Sequence, residues 1–219
     1  MCEELNRART ILLNEFQNVN NIKELNIERM EHLANVIREE FSIYNYPVNV
    51  KQLAERMGIQ TLEVEFIKNQ RNNNQNIGGA LAVGQNLVGG IYKRDKVIKV
   101  NQNNSYGHQR FTIMHEIYHY IFDYYFPQNY NDSFFKQNEI HYNIFYENEQ
   151  TNDNENEQKA NRFAAAFLMP RNDFISSYAY YRDKLNITDQ NEIIEKLSQK
   201  YLVSNAAIIK RFEELGINI

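Results

Sequence analysis

The sequence has little of three things that would indicate other classes of protein: cysteine, excess positive charge and long apolar runs. Its one cysteine is Cys2, so no disulfide can form within the chain, which fits a reducing compartment. The 24 lysines and arginines are outnumbered by 28 acidic residues, which argues against a free-standing DNA-binding protein. No apolar run is long enough to cross a bilayer, and residues 1–16 lack the apolar core of a signal peptide. We therefore expect a soluble, cytoplasmic protein with no membrane association.

Proline is also scarce, and each of the three prolines marks the expected end of a helical region. Apolar residues recur at helical spacing in the segments that precede these prolines and again at the C-terminus. Gly58 is the expected stop of one short helix. The predicted helices cover about residues 1–20, 27–41, 48–59, 107–125, 155–168, 171–184, 189–201 and 204–215.

A small sheet is predicted between the early and late helices. Residues 60–67 alternate apolar and polar side chains, and residues 77–84, 87–94 and 96–102 have the composition of three further short strands. The glycine pairs at 78–79 and 89–90 are typical of bends or close backbone approach. These elements predict an α+β protein with a small, mostly antiparallel sheet. Residues 126–155 are expected to form a long loop, functional or disordered.

The segment "RFTIMHEIYH" (110–119) carries the clearest chemical signal. His115 and His119 are four residues apart, so a helix places both on one face, where two imidazoles can bind one zinc ion. Glu116, beside the first histidine, can accept a proton from a water that the metal activates without being a ligand itself. The alternative is an ordinary helix with two histidines. The spacing favours the HExxH arrangement of zinc hydrolases.

A catalytic zinc site needs a third protein ligand, and the best candidate is Glu157. Asn161 follows it by one helical turn and is a candidate to hydrogen-bond a ligand histidine. Asp123 is too far along the helix from His115 to share its metal easily, so a supporting or surface position is expected for it. Other glutamates remain open as alternatives to Glu157; they are Glu147, Glu149 and Glu155.

Two segments resemble the ImmA/IrrE family of metallopeptidases. That family pairs an RFTxxHExxH helix with an ExxAxxFAxxLLMP helix, and here "RFTIMHEIYH" is followed by "EQKANRFAAAFLMP" (157–170). The resemblance spans about residues 27–170 and implies a thermolysin-like core with a second, glutamate-bearing helix. It implies His115, His119 and Glu157 as metal ligands and Glu116 as general base. Zinc is the implied metal, with manganese or another divalent ion as the alternative.

The chain departs from the family pattern in several places. Tyr118 stands where the family usually has glycine, so a bulky ring must find room against the sheet. Asp123 stands where the family often has histidine, and the spacing from His119 to Glu157 is longer than usual. No donor for the oxyanion is singled out, although Tyr118, His141 and Tyr142 are candidates. Residues 1–26 form an additional helical extension.

The C-terminal region, residues 171–219, is expected to be helical, and 197–216 have the rhythm of a helix-turn-helix. Residues 189–219 carry four basic and five acidic side chains, so they lack the positive surface that DNA binding requires. We therefore expect two packed helices and no direct contact with nucleic acid. The predicted organisation is an extension (1–26), a metallopeptidase-like domain (27–170) and a helical C-terminal region (171–219).

The leading functional hypothesis is a zinc-dependent endopeptidase. The family resemblance implies a cytoplasmic helix-turn-helix repressor of a phage, mobile element or stress regulon as its protein substrate. The alternative is a binding module that sequesters a repressor or toxin without cutting it. Direct regulation of DNA through residues 189–219 is the weakest hypothesis because of their charge.

Overall fold

The computed structural model describes residues 2–17, 22, 26–65, 77–88, 91–126, 143–148 and 155–219. Three helices come first: α1 (Glu3–Phe16), α2 (Ile27–Glu40) and α3 (Val50–Arg56). Asparagine side chains cap two of them, because Asn26 accepts hydrogen bonds at the start of α2 and Asn49 does so at the start of α3. Gly58 follows α3 with a φ of 71°, which confirms the predicted helix stop.

The sheet has four strands: β1 (Gln60–Val64), β2 (Ile77–Val88), β3 (Ile91–Asn101) and β4 (Asn143–Asn148). Their order is β1-β3-β2-β4. β1 pairs with β3 in parallel, whereas β2 pairs with β3 and β4 in antiparallel. The mostly antiparallel sheet predicted from the sequence is therefore confirmed.

Two details of the predicted sheet were wrong. The three short strands expected over 77–102 are two long ones, paired continuously from Gly79 opposite Val100 to Val88 opposite Ile91. Polar residues interrupt the apolar pattern there, but the ladder needs only backbone N–H and C=O groups. The expected loop over 126–155 contains the strand β4. It pairs with the edge of β2, which lies far from it in the sequence. Residues 127–142 and 149–154 of that expected loop lie outside the described part of the chain, as does the glycine pair at 89–90.

The helix that carries the HExxH motif lies against the sheet. It comprises α4 (Tyr106–Tyr118), capped by the Ser105 hydroxyl, and continues directly as a π-helical segment over His119–Tyr125. It packs on β2 and β3 on one side and on α5 (Glu155–Leu168) on the other. Ile113, Met114 and Ile117 of α4 are fully buried. The predicted helices at 107–125 and 155–168 are confirmed.

Gly79 sets how closely β2 approaches α4. A Cβ atom added at Gly79 would lie 2.3 Å from Cγ2 of Thr112 and 2.9 Å from the carbonyl oxygen of Lys99. The first distance is far below, and the second just below, the 3.0 Å under which Cβ atoms essentially never approach other atoms, so a side chain at this position would force the strand and the helix apart. The close approach predicted for the first glycine pair is therefore confirmed at Gly79.

The chain ends in α6 (Arg171–Ala179), which continues as a π-helical turn over Tyr180–Lys184, followed by α7 (Gln190–Tyr201) and α8 (Asn205–Glu214). These match the predicted C-terminal helices. Arg211 of α8 is buried and bonds to Glu31 of α2 and to the carbonyl oxygen of Met169. The C-terminal helices are thereby attached to the helices around the HExxH segment. In the described ranges no helix combines the length and the apolar character needed to span a membrane.

Candidate metal centre

Two histidines from α4 and its π-helical continuation converge at the interface with α5. The side chains of His115 and His119 are 1% and 2% exposed, and their Nε2 atoms lie 3.1 Å apart. This proximity follows from their four-residue spacing, which places them one turn apart on the same face. Both rings direct their Nε2 atoms toward the same point.

Glu157, in the first turn of α5, brings its carboxylate to that point. Its Oε2 lies 3.1 Å from Nε2 of His115, and its Oε1 lies 3.4 Å from Nε2 of His119. In a tetrahedral zinc site with bonds of about 2.0–2.1 Å, neighbouring ligand atoms are about 3.3 Å apart. The two nitrogens and the carboxylate therefore have the chemistry and the spacing to hold a divalent metal ion.

The outward nitrogens of both rings face oxygen acceptors. Nδ1 of His115 lies 2.9 Å from Oδ1 of Asn161, and Nδ1 of His119 lies 2.7 Å from Oδ2 of Asp123. A carboxylate can only accept, so Nδ1 of His119 carries the hydrogen of that contact. An acceptor beside Nδ1 favours the ring form with its hydrogen on Nδ1, which leaves the lone pair on Nε2 for a metal. The structure thus brings Asn161 to His115, a candidate ligand, as its spacing from Glu157 indicated.

The pKa values of Glu157 and His119 show which charge the centre favours. Burial raises the pKa of Glu157, but hydrogen bonds and attraction from the two histidines outweigh burial and lower it to about 2. Burial lowers the pKa of His119, but Asp123 and Glu157 outweigh burial and raise it to about 9. The centre therefore attracts positive charge, and metal binding there would release a proton.

Glu116 lies on the sheet side of the helix, away from α5. Its side chain is fully buried, and its Oε1 would be 3.8 Å from a Cβ atom added at Gly79. The glycine thus leaves room beside the carboxylate that the sequence indicates as the general base. Glu116 therefore borders β2, whereas Glu157 reaches the histidines from α5.

Tyr118 corrects one expectation. Its ring packs on Phe122 and Phe163, with centroid distances of 5.0 and 5.6 Å, so it lies between α4 and α5 and the expected crowding against the sheet is wrong. On an α-helix, Glu116 projects about 100° from His115 on one side and Tyr118 about 60° on the other. The ring therefore occupies the flank opposite Glu116. Its hydroxyl is buried and has no hydrogen-bond partner among the described residues.

The other candidates have different outcomes. Glu155 is 64% exposed and pairs with Lys159 at 2.6 Å, so it does not join the histidines. His141, Tyr142 and Glu149 lie outside the described residues, and of Glu147 only the backbone is described, in β4. Asn156 was not singled out from the sequence, yet its Nδ2 donates to Asp123 at 2.7 Å. Only its position beside Glu157 could have indicated it.

Comparison with known proteins agrees with this geometry. The model of the Peptidase_M78 family, described as the IrrE N-terminal-like domain, matches residues 54–213. The match includes all three candidate ligands and Glu116, and it extends through α6, α7 and most of α8. No curated protein matches the chain significantly.

Proposed function

Because the chain belongs to the Peptidase_M78 family, the IrrE N-terminal-like domains, we propose that it is a zinc-dependent endopeptidase that cleaves a cytoplasmic helix-turn-helix repressor. The observation that carries the proposal is the convergence of Nε2 of His115, Nε2 of His119 and the carboxylate of Glu157 at 3.1–3.4 Å. A set of two imidazoles and one carboxylate is a common ligand set of catalytic zinc in peptidases.

The proposal assigns a role to each of five side chains. His115, His119 and Glu157 hold the ion, and Asn161 orients the ring of His115. When bound, a divalent ion supplies Lewis acidity, which makes water more acidic and a peptide carbonyl more electrophilic. The Glu116 carboxylate accepts the proton of the attacking water and donates it to the leaving amine. Zinc is favoured by the ligand set, with manganese as the alternative.

The substrate class comes from the family resemblance. Proteins of this type act on helix-turn-helix repressors of phages, mobile elements or stress regulons, and the formal net charge of −4 gives no reason to expect nucleic acid as a direct partner. The proposal includes a protein substrate, a cytoplasmic location and no membrane association. The alternative is a module that sequesters its partner without cutting it. Tyr118 favoured that alternative, but its ring packs on Phe163, on the flank opposite Glu116.

The test is a cleavage assay with helix-turn-helix repressors encoded beside the gene. The wild type should produce fragments, and Glu116→Gln should reduce the rate by about 10²–10⁴-fold, the range for loss of a general base. Metal analysis should give the same content for both proteins. Glu155→Gln is the matched control, because Glu155 is exposed and bound to Lys159.

Three results are informative in different ways. Fragments from the wild type and the control but not from Glu116→Gln would support the peptidase. A stable complex with all three proteins and no fragments would favour sequestration. Equal cleavage by Glu116→Gln and the wild type would overturn the assignment of the general base.

A further inference from the structure

The π-helical segment begins at His119, the second candidate ligand, and it contains Asp123. Its widened turn is seen in the hydrogen bond from the Phe126 N–H to the carbonyl oxygen of Ile121, which spans five residues. Such turns inside helices are frequent at functional sites. Here the turn places the carboxylate of Asp123 on the outward nitrogen of His119, 2.7 Å away. The Asp123 side chain is only 10% exposed, so the contact is largely shielded from water.

Asn156 reaches the same carboxylate from α5. Its Nδ2 donates to Oδ2 of Asp123 at 2.7 Å, the oxygen that also faces His119. Asn156 is the neighbour of Glu157, whose Oε1 lies 3.4 Å from Nε2 of His119. The first turn of α5 therefore contacts both nitrogens of the His119 ring. Glu157 faces Nε2 directly, and Asn156 reaches Nδ1 through Asp123.

The two histidines are supported by different chemistry. His115 faces the neutral amide oxygen of Asn161, whereas His119 faces a carboxylate. Hydrogen bonds to charged acceptors are about twice as strong as those between neutral groups. A carboxylate acceptor also makes the opposite nitrogen a better electron donor to a metal. The two rings are therefore not equivalent as ligands.

We propose that Asp123 and Asn156 are positioning residues that present Nε2 of His119 to the metal. The inference rests on the proposed metal site; it adds Asn156 to the residues that the sequence indicated, and it gives Asp123 the supporting position that the sequence left open beside a surface one. Asp123 fixes the ring orientation and the nitrogen that carries the hydrogen. Asn156 holds the carboxylate in place and ties it to the helix that supplies Glu157. Neither side chain touches the reacting atoms.

The test is zinc affinity, measured by competition with a chromophoric chelator, on the full chain without substrate. Asp123→Ala should weaken binding by about 10–100-fold, the range for loss of an outer-shell partner. Asp123→Asn keeps an acceptor oxygen without the charge, so its loss should be smaller. Asn156→Ala should also weaken binding, and it should cause no further loss when Asp123→Ala is already present.

Glu155→Gln is the matched control. It removes one negative charge from the first turn of α5, the turn that contains Asn156 and Glu157, but Glu155 pairs with Lys159 and not with His119. Its affinity should equal that of the wild type. Cobalt loading gives a second readout, because a reoriented His119 should change the visible absorption of the ion in Asp123→Ala but not in the control. Circular dichroism and unfolding of the metal-free proteins separate these effects from misfolding, and Asp123→Asn keeps the test possible if Asp123→Ala does not fold.

The outcomes separate this inference from the proposed function. Unchanged affinity in Asp123→Ala, an equal loss in Glu155→Gln, or additive losses in the double variant would overturn the positioning pair while leaving the metal site intact. A wild type that binds neither zinc nor manganese would overturn both proposals. A wild type that binds zinc with the expected pattern of losses supports the positioning pair, even if no repressor is cleaved.

Discussion

Two buried networks of charged side chains join helices in this protein, and their charges are balanced in different ways. The arginine cluster consists of Arg211, Glu31, Glu214 and the carbonyl oxygen of Met169. It brings its own cation, because a guanidinium is always charged, and each of these contacts has a donor facing an acceptor. The candidate metal centre instead directs the carboxylates of Glu157 and Asp123 at two imidazoles, which carry charge only when protonated.

The difference explains what each network can do. A buried ion pair that contains both charges stabilises one packing arrangement, and removal of either partner leaves a costly buried charge. A buried group of carboxylates and imidazole lone pairs is balanced best by a cation from solution. The arginine cluster therefore suits a structural role, and the metal centre suits a binding one. Four changes to the chain would test this contrast.

The largest expected effect is the loss of metal from Glu157→Ala. Removal of a direct ligand should weaken zinc binding by more than the roughly 100-fold upper range for outer-shell partners, and cleavage should be lost with it. The metal-free variant should lose less stability than Arg211→Ala does, because the protonated His119 ring loses Glu157 but keeps Asp123 as its buried partner. Elemental analysis and thermal unfolding measure the two quantities. Full metal content in this variant would sink the assignment of the third ligand.

Arg211→Ala should show the opposite pattern. Glu31 would be left without its buried partner, so the free energy of unfolding should fall by about 3–5 kcal/mol. Zinc affinity of the folded protein should not change. Urea unfolding of the metal-free protein provides the measurement. The paired change Arg211→Met with Glu31→Leu serves as the control and should recover most of the loss, whereas a fall in zinc affinity with Arg211→Ala would contradict the contrast.

Gly79→Ala tests the strand that borders Glu116. The added methyl would overlap Thr112 and the backbone of Lys99, so the strand and α4 must separate at a cost of about 1–3 kcal/mol. Cleavage should fall further than this loss of stability explains, because Glu116 lies at the same contact. Zinc affinity should stay close to the wild-type value, since the ligands come from α4 and α5. Activity equal to that of the wild type would show that this spacing does not position Glu116.

Tyr118→Phe should have the smallest effect. The ring contacts with Phe122 and Phe163 are kept, and only a buried hydroxyl without a partner among the described residues is removed. The free energy of unfolding should stay the same or rise by up to about 1 kcal/mol. Cleavage should be unaffected because the ring lies on the flank opposite Glu116. A marked loss of cleavage with unchanged stability would instead give the hydroxyl a part in the reaction.

The sequence predicted the helices well because each is a local pattern. The apolar spacing of α2, α4 and α5 was readable without a partner, as was the stop at Gly58. The strands were harder. β4 depends on the edge of β2 for its hydrogen bonds, and the long β2–β3 hairpin runs through polar residues that suggested breaks.

The metal centre divides in the same way. The spacing of His115 with His119, and of Glu157 with Asn161, determined which side chains share a helical face, because helical periodicity is a property of the local backbone. Only the tertiary structure decided that these two faces meet, that the Tyr118 ring lies between the helices, and that Asn156 reaches Asp123. The same holds for Arg211 and Glu31, which are 180 residues apart in the chain. Such contacts depend on how whole helices pack, and no local spacing encodes that arrangement.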